Sequence, residues 1–162
     1  MTFLAPPIVH LEQIEIDAAN KMLEAWGHKM GACRRPNNRI WAHAMFMHGE
    51  PVALTITAAL VRETCAGLTR DEAVELARLC AKLPHINRVM LRLWREAVLP
   101  QLARAHGYRW AVSYQDEGLH TGNTYRFDGW KPLSRSRSGT DQRSGRKGRA
   151  KTIWGWQVPA PA

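Results

Sequence analysis

The alternation of apolar and polar positions changes period several times along this chain, and each change marks a new element. "PIVHLEQI" (residues 7–14) reads as a short strand. "DAANKMLEAWGHKM" (17–30) then places Ala19, Met22, Leu23, Trp26 and Met30 at helical spacing, with Asp17 as the expected N-cap. "CRRPNNR" (33–39) is a turn-rich break. "IWAHAMFMHGEPVALTITAALV" (40–61) reads as two strands joined at His48-Gly49-Glu50-Pro51, a hairpin signal. In "DEAVELARLC" (71–80) the apolar residues Val74, Leu76 and Leu79 fit neither period, so strand and helix both stay open. "NRVMLRLWREAVLPQLARAHGY" (87–108) predicts a long helix that buries Val89, Leu91, Leu93, Trp94, Val98, Leu102 and Ala105. Pro100 lacks an amide donor and should kink that helix, and Gly107 can end it in a left-handed cap. A strand "RWAVSY" (109–114), a short helix around Tyr125 and a closing strand "TIWGWQV" (152–158) complete the order.

Composition narrows the class. A chain of 162 residues suits one domain with a hydrophobic core, spanning residues 1–162. No apolar stretch approaches the roughly 20 residues that cross a bilayer, so no membrane association is expected. "MTFLAPPIVHLEQ" lacks the basic-then-apolar pattern of a secretory leader, and Cys33, Cys65 and Cys80 form no ligand-spaced pair. Both features predict a cytoplasmic protein with reduced thiols; no residue is assigned as a metal ligand, and the need for a metal stays open.

Charge is concentrated near the end of the chain. From Lys131 to Lys151 there are eight Lys or Arg against one acid, a net of +7 out of the chain's +9. This Ser- and Gly-rich stretch has almost nothing to bury, which predicts a mobile basic loop at about 131–151. Arg135, Arg137, Arg143, Arg146, Lys147 and Arg149 are suited to the phosphates of DNA, an attraction independent of base sequence. A solvated loop with no partner is the plainer alternative. Trp130, Trp154 and Trp156 flank it, either as packing residues or as surfaces on which a base can stack.

The order of elements, together with "YRFDGW" (125–130), resembles the GNAT acyl-CoA N-acyltransferase superfamily. "LPHINRVML" (83–91) followed by "SYQDEGLHTGNTYRFDGW" (113–130) is similar to phage Mom-type DNA adenine-modification proteins and related small phage GNAT-like proteins. The local match runs from about residue 72 to 133. It implies an α/β fold: a central mixed, mainly antiparallel sheet with splayed central strands, flanked by helices. It also implies a transferase that takes acetyl-CoA or another acyl-CoA and is encoded by a phage or prophage in a bacterial host. The chain departs from the superfamily in the phosphate-binding loop, where Pro84-His85-Ile86-Asn87-Arg88-Val89 contains no glycine. Asn87 is expected to cap the helix there and Arg88 to pair with phosphate. The asparagine common seven residues before the tyrosine is replaced by Gly118.

The same resemblance makes Tyr125 the candidate general acid. Asp116, at the end of its strand, can orient or deprotonate an amine or simply cap a turn. Glu75 is a candidate base or a salt-bridge partner, and Ser113 and Tyr114 are expected to line the splayed cleft. His120 has no ligand-spaced companion, which favours a proton or loop role over a metal. Three functions remain distinct. A Mom-type enzyme modifying the adenine amine must meet the base flipped or unpaired. An ordinary acyl-CoA N-acyltransferase acts on a small amine or protein, and a non-catalytic DNA-binding protein keeps only the fold.

Overall fold

The computed structural model describes residues 9–35, 39–83, 85–136 and 150–160. Its elements run β1 (Val9–Ile14), α1 (Ile16–Ala25), β2 (Ile40–Met47), β3 (Glu50–Ala59), β4 (Thr64–Cys65), β5 (Leu68–Thr69) and β6 (Ala73–Ala81). They continue with α2 (Ile86–Leu93), a π turn (Trp94–Val98), α3 (Leu99–His106), β7 (Trp110–Asp116), α4 (Asn123–Phe127), β8 (Lys131–Ser136) and β9 (Lys151–Gln157). Seven strands form one sheet in the order β1-β2-β3-β6-β7-β9-β8, and β4 and β5 form a separate small hairpin. Every pairing in the large sheet is antiparallel except β6 with β7. This is the expected fold class: a mixed, mainly antiparallel sheet flanked by helices.

The ambiguity of residues 71–80 has a structural cause. β6 is a strand, but its register against β3 passes from Thr57↔Leu76 to Ile56↔Arg78, leaving Ala77 as an extra residue. Such a bulge switches side-chain parity. Val74 and Leu76 therefore share a core cluster with the long helix, Ala77 packs on the α1 side, and Leu79 returns to the helix side. No single period can describe that strand.

Some boundaries differ from the expectation. The N-cap position of α1 is Glu15, without a side-chain capping hydrogen bond, and Asp17 sits in the first turn, where a negative charge suits the helix dipole. The helix stops at Ala25, and Met30 beyond it is 56% exposed. The β2–β3 turn needs only His48 and Gly49, both with positive φ, as a two-residue turn of this type requires; Glu50 and Pro51 already belong to β3. The segment expected to be a basic loop begins as strand β8, paired with β9 over Lys131–Ser136. The rest of that expectation, including Arg137, Arg143, Arg146, Lys147 and Arg149, lies outside the described residues.

Two layers cover the sheet. Ala19 and Leu23 of α1 pack on Ala42, Ala44, Leu54 and Ile56. On the other face Leu91, Trp94, Val98, Leu99 and Leu102 pack on Val74, Leu76 and Ala111, joined by Trp130 and Trp154. Trp94 is fully buried, and its indole N–H donates to Thr57 Oγ1 at 2.7 Å. The irregularity expected at Pro100 takes the form of the π turn, in which the Leu99 amide reaches back five residues to Trp94 O. Gly107 then closes α3 at φ +78, as expected. Val89 (52% exposed) and Ala105 (exposed) lie outside the buried stripe assigned to them. No helix among the described residues is long and apolar enough to cross a membrane.

Replacing Trp94 with Ala is expected to destabilise the protein by about 3–5 kcal/mol, from lost burial, a cavity and an orphaned Thr57 hydroxyl. Val89→Ala is expected to stay within about 0.5 kcal/mol. Urea denaturation of both variants checks the pair.

Candidate functional site

The parallel pairing of β6 and β7 covers only Ala73↔Trp110, Val74↔Ala111 and Glu75↔Val112. The Ala77 bulge follows at once, and the two strands separate. The resulting cleft has a volume of about 1070 Å³. The bulge supplies extra local twist at the point where pairing ends. At the fork the cross-strand link is a side chain: Ser113 Oγ donates to Leu76 O at 3.0 Å.

Tyr125 meets this link from α4. Its hydroxyl lies 2.8 Å from Ser113 Oγ. A serine hydroxyl has one proton, and Ser113 gives it to Leu76 O, so the Tyr125 O–H donates to Ser113. The ring is fixed by stacking on Trp154 (centroids 5.8 Å, 18° between planes) and by an edge contact with Trp130 at 5.4 Å. Burial pushes the phenol above its ordinary value of 10.0, opposed by the Ser113 hydrogen bond. It stays protonated at neutral pH and can give up a proton only to a group placed against it.

The loop between β7 and α4 is clamped rather than loose. Gln115 is buried, accepts the Trp154 indole N–H at 2.7 Å and donates to His120 O. Gly122 passes over this contact at φ +77, and a Cβ there would lie 2.5 Å from Gln115 Oε1 and 2.8 Å from Trp154 Cζ2. Only glycine satisfies both the backbone and the space. Beyond α4, Arg95 in the π turn holds Asp128 through two hydrogen bonds of 2.8 and 3.2 Å, and the Trp130 indole joins the same carboxylate at 3.0 Å. These contacts set the position of Tyr125 from both sides.

Glu75 faces the other side of the cleft and is not a free base. Arg35 grips it with two hydrogen bonds of 2.9 and 2.6 Å, and also donates to Ala59 O at 3.2 Å. The side chains are only 14% and 6% exposed. Of the two sequence readings of Glu75, the structure shows the salt bridge. Tyr114 sits on this side too, its hydroxyl 3.0 Å from Cys65 Sγ, and burial with that contact pushes the phenol far up. Ser113 and Tyr114 thus line opposite faces of the cleft. Asp116 ends β7 and accepts the Gly118 amide at 3.0 Å in a tight turn.

The expectations for the helix start need correction. α2 begins at Ile86 with His85 at its N-cap, so Asn87 is inside the helix and caps nothing. Asn87 lines the cleft, and its Oδ1 is buried without a hydrogen-bond partner. Arg88 is exposed and lies over the Phe127 ring at 5.3 Å, away from the cleft lining. Arg135, expected to face DNA, pairs with Glu117 through two hydrogen bonds. Among the described residues, no group of three or more His, Cys, Asp or Glu is placed to hold a metal ion. Trp130 and Trp154 are 3% and 4% exposed, so they are packing residues rather than platforms for a base.

Sequence reasoning missed Arg35, Cys65 and Gln115. Arg35 and Glu75 stand 40 positions apart, and nothing local signals their pairing. Gln115 had a usable signal, since on a strand it shares the face of Ser113.

No family model matches the chain, and no curated protein matches it in sequence. Solved structures do match. The ribosomal-protein-S18-alanine N-acetyltransferase of Escherichia coli is 14% identical, with a TM-score of 0.63 over 95% of this chain and 96% of that one. Aminoglycoside 6'-acetyltransferase type Ii is 14% identical, with a TM-score of 0.64 over 94% and 99%. yncA from Salmonella typhimurium, solved with its cofactor acetyl-CoA, is 11% identical, with a TM-score of 0.63 over 96% and 97%. The chain therefore has the fold of GNAT-family acetyltransferases. None of these structures carries the closer likeness to Mom-type proteins.

Replacing Glu75 with Gln leaves the half-buried Arg35 charge unmatched and is expected to cost about 3 kcal/mol of stability. The double variant Arg35→Met/Glu75→Leu is expected to recover most of it. Thermal unfolding of the three proteins checks this.

Proposed function

We propose that this protein is an acyl-CoA-dependent N-acyltransferase. The observation that carries the reading is the Ser113–Tyr125 hydrogen bond at the fork of β6 and β7, inside a cleft large enough for a nucleotide-sized ligand. The likeness to structures that include one with acetyl-CoA supports it.

The residues present fit an acyl-CoA. The unpartnered Asn87 Oδ1 is an acceptor suited to an amide N–H, and the β6 edge past Glu75 is no longer covered by β7. Leu76–Ala81 of β6, Asn87 and Ser113 would hold the cofactor. Bound there, it supplies an acyl group activated as a thioester. Tyr125 keeps its proton, donating it in a hydrogen bond to Ser113, and would be the group to protonate a leaving thiolate. Trp130 and Trp154 exclude water from that proton. Both Glu75 oxygens are occupied by Arg35, so the acceptor amine must arrive unprotonated or pass its proton to solvent.

A second reading keeps the same chemistry and makes the acceptor a DNA base, the adenine amine of a Mom-type modification. It is favoured by the net +7 between Lys131 and Lys151, since Ser136, within that stretch, and Lys151, at its end, line the cleft. Non-catalytic DNA binding is a third, and it is indifferent to Tyr125.

Two measurements separate these. Calorimetry is expected to show acetyl-CoA binding to the wild type, with Tyr125→Phe within about twofold in Kd. In transfer assays Tyr125→Phe is expected to lose about a hundredfold in kcat, within the range for a lost general acid. An acid must be protonated to act, and burial raises this one above 10.0, so activity should rise as the acceptor amine deprotonates and fall only above pH 10. Absence of acetyl-CoA binding defeats the main reading. Nucleoside mass spectrometry of DNA from expressing cells, wild type against Tyr125→Phe, tests the second.

A further inference from the structure

The two faces of the cleft differ in charge. Tyr125, Ser113 and Asn87 lie on the helix side. The opposite side is framed by the α1–β2 connection, the β3–β4 connection, β6 and the end of β9. Its charged lining consists of Lys29, Arg35, Arg62, Arg78 and Lys151, with His28 and His120 at the margin, against Glu75 and Asp116.

How these charges are engaged decides what the face can receive. Glu75 is matched by Arg35, and Asp116 is tied into its turn through the Gly118 amide. Arg78 is spent on carbonyls, donating to Gly31 O at 3.1 Å and Ala77 O at 2.8 Å, which ties the segment after α1 down on β6. Lys29, Arg62 and Lys151 remain, and among the described residues none of them has an ion-pair partner. Lys151 stands over Tyr114, its Nζ 6.0 Å from the ring centroid, and Tyr114 stays an uncharged phenol because burial holds its proton. Met30 (56% exposed) and Val61 (66% exposed) sit beside Lys29 and Arg62, so the rim alternates apolar and cationic side chains.

We propose that this face admits an amine belonging to an anionic molecule, one with a carboxylate or phosphate near the amine, and rejects polycationic amines. The proposal rests on the acyltransferase reading and names the acceptor class for the same cleft. A polycation would meet three unmatched positive side chains and find its one well-placed carboxylate already paired with Arg35. An anionic acceptor meets Arg62 and Lys151; Asp116 stands across the β7–β9 ladder from Lys151 and is engaged by the Gly118 amide. Discrimination of this kind comes as much from the repulsion as from the attraction.

The test uses the full chain with acetyl-CoA as donor and follows release of free CoA thiol. Acetyl-CoA binding is measured first by calorimetry, so that failure of the underlying reading is seen separately; no binding removes that reading and the proposal with it. The acceptors are matched pairs: an acidic dipeptide and an aminoalkyl phosphate against a lysine-rich dipeptide, kanamycin and spermidine. The expected result is a kcat/KM at least tenfold higher for an anionic amine than for its cationic counterpart. The ratio should shrink as ionic strength rises from about 50 mM, because the charges are partly exposed. The carboxylate and phosphate arms identify which anion is read. The double variant Arg62→Glu/Lys151→Glu is expected to abolish or reverse the preference while acetyl-CoA affinity stays within about twofold. A ratio near one, a preference for cations, or no turnover of any anionic amine by a protein that binds acetyl-CoA overturns the proposal.

Discussion

Only three residue pairs of parallel ladder join β6 to β7, and the rest of the structure depends on that short seam. The strands before it, β1, β2, β3 and β6, pair antiparallel. At the seam the chain must satisfy backbone groups that the next strand no longer reaches, since buried polar groups left unpaired are costly. It does so with side chains: Ser113 covers Leu76 O and Arg78 covers Ala77 O. Because Ser113 is committed in this way, it can also receive the Tyr125 hydroxyl. A device for ending a sheet pairing thus doubles as the anchor of the proposed acid.

Two clamps keep that anchor in place from outside the seam. One runs from Trp154 through Gln115 to the backbone of His120, beneath a glycine that no other residue can replace without strain. The other runs from the π turn through Arg95 to Asp128 and Trp130. The irregular turn before Pro100 is therefore part of the site's support: it carries Arg95, whose guanidinium also lies 4.2 Å from the Trp156 ring centroid. A chain of polar and aromatic contacts thus links the long helix, α4 and β9, and Tyr125 is held by regular elements rather than by a free loop.

Legibility from sequence followed the range of the interactions. The helix carrying Leu91, Trp94, Val98 and Leu102, the hairpin signalled by His48-Gly49-Glu50-Pro51 and the glycine cap at Gly107 are local, and their patterns could be read directly. Val89 was misplaced because it is apolar yet lies off the face that Ile86, Met90 and Trp94 form at i, i+4 and i+8. β6 was unreadable for a related reason, since the Ala77 bulge changes parity inside the strand. At the site, Tyr125 and Ser113 were legible through resemblance and strand alternation. The capture of Glu75 by Arg35 was not, because it joins residues far apart in the chain with no pattern between them. The basic stretch looked uniform as composition, yet Lys131–Ser136 is held as a strand by pairing with β9 and Arg135 is matched by Glu117.

The most direct test of the account is hydrogen exchange of the full chain with and without acetyl-CoA. If the parting of β6 and β7 is the cofactor site, exchange should slow in Leu76–Ala81, in the first turn of α2 and in Ser113–Asp116, while β1 and β2 stay unchanged. Saturating acetyl-CoA that leaves those three segments unaffected would contradict the account, whatever else it protected.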